Sequence, residues 1–314
     1  MQYRRLGKSG LQLSALSFGS WVTFSTQVDE KAAQELMQLA YDSGVNFFDN
    51  AEAYAAGESE VLMGRALKKL GWSRDSFVVS SKVFWGGKLP TQRGLSRKHV
   101  LDCCHAALKR LQVDYLDLYY CHRPDLDTPL EETVRAMGDL VAQGKVLYWG
   151  TSEWRADEIA GAHGIARGLG LAAPTMEQPQ YNLFERVKVE RDYARLYGGI
   201  GLGTTIWSPL ASGILTGKYA DGIPKGSRMT LPGYEWLRQR LECDEGRDKV
   251  AKTKELAKIA KELGASVGQL AIAWCLSNPN VSTVILGATK KEQLKENLGA
   301  LELVAKLDAK VFER

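Results

Sequence analysis

The run Phe77-Val-Val-Ser-Ser-Lys82, the stretch Arg97–Leu111 and the run Tyr115-Leu-Asp-Leu-Tyr-Tyr120 together decide how the chain is read. A short apolar run rich in β-branched and aromatic residues ends in polar side chains. An amphipathic stretch of helical spacing follows, opened by Ser96 as an N-cap candidate, and a second apolar run comes after it. Strand, helix, strand in this order implies a right-handed βαβ unit and a parallel sheet.

The same rhythm extends in both directions. Strands are expected at Ala15-Leu-Ser-Phe-Gly19, Asn46-Phe-Phe-Asp49, Val146-Leu-Tyr-Trp-Gly150, Thr175-Met-Glu-Gln178, Gly201-Leu-Gly-Thr-Thr-Ile-Trp207 and Thr283-Val-Ile-Leu-Gly287. Helices are expected at Glu30–Asp42, Glu58–Leu70, Leu130–Gln143 (closed by Gly144), Asp157–Gly168 and Glu185–Tyr197. Others follow near Arg247–Leu263, Val267–Ser277 and from about Lys290. Eight such units suit a closed (β/α)₈ TIM barrel better than an open doubly wound sheet, and the 314 residues suit a single barrel domain spanning 1–314. Ahead of it, Tyr3-Arg-Arg-Leu, a Gly-Lys-Ser-Gly turn and Leu11-Gln-Leu predict an N-terminal β-hairpin. Pro209 to about Asp248 breaks the rhythm with Gly213, Gly217, Gly222, Pro224, Gly226, Pro232 and Gly233. It reads as a long loop after the seventh strand, favoured as a lid over a bound ligand.

Charge narrows the function little. Forty-one Lys and Arg against 37 Asp and Glu leave +4, interspersed along the chain, where a nucleic-acid binder would cluster its excess. MQYRRLGKSG has no apolar core of a signal peptide, and no run approaches the roughly 18 apolar residues of a membrane span. The five cysteines, Cys103, Cys104, Cys121, Cys243 and Cys275, are odd in number with no CxxC spacing, so they read as reduced thiols in a cytoplasmic protein. His99, His105, His122 and His163 show no pairing at zinc-site spacing, and no metal is expected.

In such a barrel the chemistry sits at the carboxyl ends of the strands. Polar residues collect there: Asp49 and, five residues on, Tyr54; Lys82 after Ser80 and Ser81; His122; Ser152 with Glu153; Gln178; Trp207 with Ser208. A lysine pointing into the barrel is costly unless paired, and Asp49 is its partner in this reading. Each residue alone has a bland explanation, a helix cap, loop packing or a structural histidine. Their recurrence at consecutive strand ends is far more specific. Lys82 is expected to draw the Tyr54 phenol down from its ordinary pKa of about 10 so that it donates a proton, while His122 orients a substrate carbonyl oxygen. No side chain delivers hydride, so a nicotinamide is implied.

This set resembles the Asp-Tyr-Lys-His tetrad of the aldo-keto reductase superfamily, with the branch of voltage-gated potassium channel β-subunits the nearest match. The resemblance spans nearly the whole chain. Its carriers include Ser20-Trp-Val-Thr-Phe24, Phe48-Asp-Asn-Ala-Glu-Ala-Tyr54, Arg123-Pro-Asp125, Tyr148-Trp-Gly-Thr-Ser152, Trp207-Ser-Pro-Leu-Ala211, Gly213-Ile-Leu-Thr-Gly-Lys-Tyr219 and Gly287-Ala-Thr289. It implies NADPH. In it Trp207 stacks on the nicotinamide, Ser152, Gln178 and Asp49 lie beside it, and Trp21 and Gln27 reach it from the first loop. Ser208, Leu210, Lys218 and Arg228 hold pyrophosphate and adenosine. Thr289, Gln293, Glu296 and Asn297 take the adenosine end, at the start of the last helix, and Gly287 is a further cofactor-binding residue. Lys218 and Arg228 favour NADPH over NADH, and no G-x-G-x-x-G follows the first strand.

Two departures are notable. The channel β-subunits carry asparagine where this chain has His122, which argues for turnover. They carry arginine where Glu153 stands, which bears on phosphate binding and cofactor preference. The resemblance also implies a homo-oligomer, a tetramer or octamer. A small carbonyl compound is the expected substrate, lined by Trp21, Phe24, Tyr54 and Trp85. A channel auxiliary or redox-sensing protein that binds NADPH with little turnover is the rival reading. It is less favoured because the chain begins directly at the hairpin, whereas channel β-subunits often carry an N-terminal extension. An isomerase or aldolase using Lys82 as a Schiff base leaves Tyr54 and Asp49 unexplained.

Overall fold

A computed structural model describes residues 1–21, 23–24, 27–231 and 233–314; Val22 of the Ser20–Phe24 segment and Pro232 of the long loop lie outside the described residues. The chain divides into two compact units. One comprises Met1–Pro179, Val187–Trp207 and Asn280–Leu294. The other comprises Gln180–Arg186, Ser208–Pro279 and Lys295–Arg314.

The first unit holds the whole barrel. After β1 (Tyr3–Arg5) and β2 (Gln12–Ser14) come β3 (Leu16–Gly19), β4 (Phe47–Asp49), β5 (Val78–Val83), β6 (Leu116–Cys121), β7 (Val146–Ser152), β8 (Met176–Gln178), β9 (Gly203–Ile206) and β10 (Thr283–Leu286). The last eight pair in parallel, each with the next in sequence, and β10 returns to β3 to close the barrel. All eight expected strands are present. The intervening helices are α1 (Glu30–Asp42), α2 (Glu58–Leu70), α3 (Arg97–Leu111), α4 (Leu130–Ala142) and α5 (Ala156–Gly168). Ser96 caps α3 by accepting from the His99 N–H, and Gly144 follows α4 with φ +66°, a conformation glycine adopts without strain.

The expected hairpin is β1 paired antiparallel with β2. Its apolar residues Leu6 and Leu13 share one buried cluster with Phe47, Val78, Leu118, Tyr120, Met176 and Ile285. The Lys8 N–H donates to the Gly201 carbonyl, just before β9. A Cβ on Gly7 would lie 2.1 Å from that same oxygen, so the approach requires glycine there. The hairpin thus covers the amino ends of the strands and leaves the chemistry to the opposite end.

Two expectations need correction. The stretch expected as one helix over Glu185–Tyr197 is a π-helical turn at Lys188–Asp192 followed by α6 (Ala194–Gly199). The side chain of Asn182 accepts from the N–H groups of Phe184 and Glu185, which ties the start of the stretch into a turn. The long loop, in turn, is largely ordered. It carries short 3₁₀ segments at Ala211–Thr216 and Arg228–Thr230, then α7 (Glu235–Glu242) and α8 (Asp244–Glu262). Leu237 and Leu241, one turn apart on α7, are buried with Tyr219 and Met229, and that shared core turns a Gly/Pro-punctuated stretch into structure. The second unit is completed by α9 (Val267–Ser277), where Ser266 and Gln269 form a reciprocal capping box. No helix among the described residues is long and apolar enough to cross a membrane.

Candidate active site

Side-chain alternation along β5 builds the site. Ser80 and Lys82 point to one face and Ser81 to the other, where its hydroxyl donates to Glu60. Ser80 donates to Asp49 Oδ1 at 2.8 Å, and the fully buried Lys82 Nζ donates to Asp49 Oδ2 at 2.7 Å. The same ammonium donates to the Asn50 carbonyl at 2.9 Å and to Tyr54 Oη at 2.9 Å. All three of its protons are used, and the expected Asp49–Lys82 pair is present. Gln178 Nε2 adds a third donor to Asp49, at 3.1 Å.

The His122 ring lies edge-on to Tyr54, with centroids 5.8 Å apart, and against Trp85 at 5.0 Å. Its Nδ1 is buried without a hydrogen-bond partner. Burial, with Lys82 and Arg123 nearby, holds the imidazole well below its ordinary pKa, so it stays neutral with one N–H to donate. Tyr54 departs from expectation. Burial pushes its phenol up and outweighs the lowering by Lys82, so the phenol is held protonated rather than drawn toward the phenolate. Lys82 itself is raised, since Asp49 and Tyr54 together outweigh its desolvation.

The backbone after Tyr54 is strained, with Ala55 at φ +49° and Ala56 at φ +53°; Glu153, Ser208, Ala211 and Ser212 also take positive φ. Each such non-glycine residue costs on the order of 1–3 kcal/mol. Glu153 directly follows β7, and the others lie in the loops that leave β4 and β9.

The remaining expected residues fall as follows. Ser152 Oγ donates to the Gln178 carbonyl at 2.9 Å and receives Arg123 at 3.3 Å. The indoles of Trp21 and Trp207 meet edge to face at 6.1 Å. Glu153 has work of its own: it accepts from Trp207 Nε1 at 3.0 Å and from Lys188 Nζ at 2.5 Å. Gln27 is exposed just before α1. Thr289 donates to Gln293 Oε1 through both its N–H and its hydroxyl, beside exposed Gly287. With α10 running Lys291–Leu298, only Thr289 and Gln293 lie at its amino end. Exposed Glu296 and buried Asn297 lie in its last turn, contrary to the expected placement of all four at the start of a last helix.

In the second unit, Ser208 accepts from Ser212, and Leu210 packs with Ala211 and Leu215. Lys218 and Arg228 are both held below their ordinary pKa values by burial, and Arg228 lowers Lys218 further. Lys218 is exposed and Arg228 half-buried, and two neighbouring cations gain from an anion, the chemistry a phosphate supplies.

Buried Glu177 precedes Gln178 on β8. It accepts from Thr151, from the Trp154 N–H and from Tyr193. Burial still dominates and pushes its carboxyl up to about 8. Between about pH 4.5 and 8 the unfolded chain gives up this proton while the fold keeps it, so stability falls as pH rises through that window. The fall is at most about 5 kcal/mol. Glu177→Gln is expected to flatten the decline of the thermal midpoint between pH 5 and pH 8. Equal slopes in both proteins would show that Glu177 is not held protonated.

Reading residues by strand ends passed over one grouping. Glu52, His99 and Cys103 are all buried, with a ligand atom of each within 4.8 Å of the others. The signal was the spacing of four between His99 and Cys103 on α3, which puts both on one helix face.

A parallel (β/α)₈ barrel with a lysine-bridged carboxylate and phenol at its strand ends defines the class. The chain belongs to the aldo/keto reductase family, whose sequence profile matches residues 15–314. It is 54% identical over 315 residues to a protein of Oryza sativa subsp. japonica named probable voltage-gated potassium channel subunit beta. It is 53% identical over 315 residues to one of the same name from Arabidopsis thaliana. Each alignment covers the whole of this chain and 95% of the relative.

Proposed function

We propose that this protein reduces aldehydes or ketones to alcohols at the expense of NADPH, with Tyr54 as the proton donor. The observation that carries the reading is the bridge of Lys82 Nζ between Asp49 and Tyr54 Oη, facing a neutral His122. The family's use of reduced nicotinamides supports a cofactor that supplies hydride when bound. The protein's own residues supply the rest. The neutral His122 N–H orients the carbonyl oxygen, Tyr54 gives that oxygen its proton, and Lys82, fixed by Asp49, stabilises the phenolate left behind. Trp207, anchored by Glu153, is proposed as the platform beside Trp21. Ser152 and Gln178 are proposed to bind the carboxamide, and Lys218 and Arg228 the phosphates. Trp85, beside His122, favours an apolar or aromatic carbonyl compound.

The relatives' printed name favours a second reading, a channel β-subunit that binds NADPH with little turnover. Titration of the protein's binding by NADPH fluorescence, followed by oxidation with a panel of aldehydes, separates the two. Tight binding with aldehyde-dependent oxidation supports the reductase; tight binding without turnover, together with co-purification of a channel, supports the second. For cofactor choice, Arg228→Ala is expected to weaken NADPH by roughly tenfold or more, the worth of a charge-assisted hydrogen bond, and NADH much less. An equal loss for both would remove Arg228 from the 2′-phosphate.

A further inference from the structure

We infer that Glu52, His99 and Cys103 form a site for a zinc-class divalent cation, apart from the Tyr54 hydroxyl and its partners. Carboxylate, imidazole and thiol are the ligand set that borderline ions such as Zn²⁺ select, and Mg²⁺ and Ca²⁺ do not. The three groups are buried and converge within 4.8 Å of one another, and a shift of their side chains brings them to the roughly 3.3–3.8 Å edges of a tetrahedron whose bonds are about 2.0–2.3 Å.

The imidazole is already oriented as a ligand. His99 Nδ1 lies 2.8 Å from the Gly94 carbonyl oxygen, to which it donates, so Nε2 is turned toward Glu52 Oε2 at 3.3 Å. A backbone carbonyl behind a ligating histidine is the common second partner of metal-bound imidazoles. Two electron-rich atoms at that distance need a positive charge between them, and either a proton or a metal ion supplies it. The Cys103 sulfur as third donor points to the metal. A Cβ on Gly86 would stand 2.5 Å from Glu52 Oε2 and 2.7 Å from His99 Nε2, so only glycine lets the loop approach the pair this closely. Gly86 is exposed, which gives an ion a way in and leaves water for the fourth position.

Glu52 uses its other oxygen to accept from the Phe84 N–H at 2.7 Å, so the site ties the loop leading to Tyr54 to the residue just after β5. On binding, the thiol proton leaves for solvent and a sulfur–metal bond forms, with no change of oxidation state.

The test is titration of the full-length, chelator-stripped protein with Co²⁺, which reports a thiolate ligand by its near-ultraviolet charge-transfer band, followed by competition with Zn²⁺. A band that saturates at about one equivalent and collapses on adding Zn²⁺ is expected for the wild type and for Cys243→Ser, which removes an exposed thiol. Cys103→Ser is expected to lose the band. Gly86→Ala sets a methyl group against Glu52 Oε2 and His99 Nε2 from an exposed loop position and is expected to stay folded and lose the metal, so the proposal does not depend on whether a core variant folds. Absence of the band in the wild type would reduce the cluster to a Glu52–His99 ion pair. A band that survives Cys103→Ser, vanishes in Cys243→Ser or is unaffected by Gly86→Ala would place the ion elsewhere.

Discussion

Tyr54→Phe is expected to lower carbonyl reduction by roughly 10²–10⁴-fold, the usual worth of a positioned general acid, while NADPH binds as in the wild type. The substitution removes one oxygen and leaves the ring in place against His122. Lys82 Nζ loses one of three acceptors but keeps Asp49 and the Asn50 carbonyl, so the ammonium remains paired. The loss should therefore fall on the chemical step. Turnover near the wild-type value, measured by aldehyde-dependent loss of reduced nicotinamide, would take Tyr54 out of the proposed role. Weakened NADPH binding in the same variant would mean that the phenol also supports the cofactor.

Asp49→Ala is expected to destabilise the protein by about 3–5 kcal/mol, because it strands the buried Lys82 ammonium without its counter-charge. Ser80 and Gln178 lose their acceptor at the same time. Replacing both charges, as Asp49→Ala with Lys82→Met, should recover most of the loss, since an apolar pair of similar volume is often neutral against a buried ion pair. Thermal midpoints of the two variants decide it. If the double variant is no more stable than Asp49→Ala, the penalty is packing rather than charge. Both variants are expected to lack reductase activity, so stability is the only readout that distinguishes them.

Much of this arrangement could be read along the chain. The runs at Phe77–Lys82 and Tyr115–Tyr120 carry local strand signals, and helices such as Glu30–Asp42 and Arg97–Leu111 carry their own caps and apolar stripes. Asp49, Lys82 and Gln178, on β4, β5 and β8, could be anticipated together because a barrel gathers the carboxyl ends of all its strands at one mouth. Local signals failed where a distant partner decides the outcome. Glu235–Glu242 looks like loop until Leu237 and Leu241 find Tyr219 and Met229. At Glu185–Tyr197 the competing signal is local: Asn182 captures the amide groups of Phe184 and Glu185 and turns the chain at the start of the stretch.

The sequence by itself determined the barrel, its hairpin and which polar residues stand at its strand ends, because period, capping and strand-end position are properties of neighbours in the chain. Only the tertiary structure decided the balance of charge among them. Desolvation depends on what surrounds a group from every side, so burial, not Lys82, sets the direction of the Tyr54 phenol, and burial keeps His122 neutral. The same holds for Glu153, which finds Trp207 and Lys188 far along the chain, and for the meeting of Glu52, His99 and Cys103 beside Gly86.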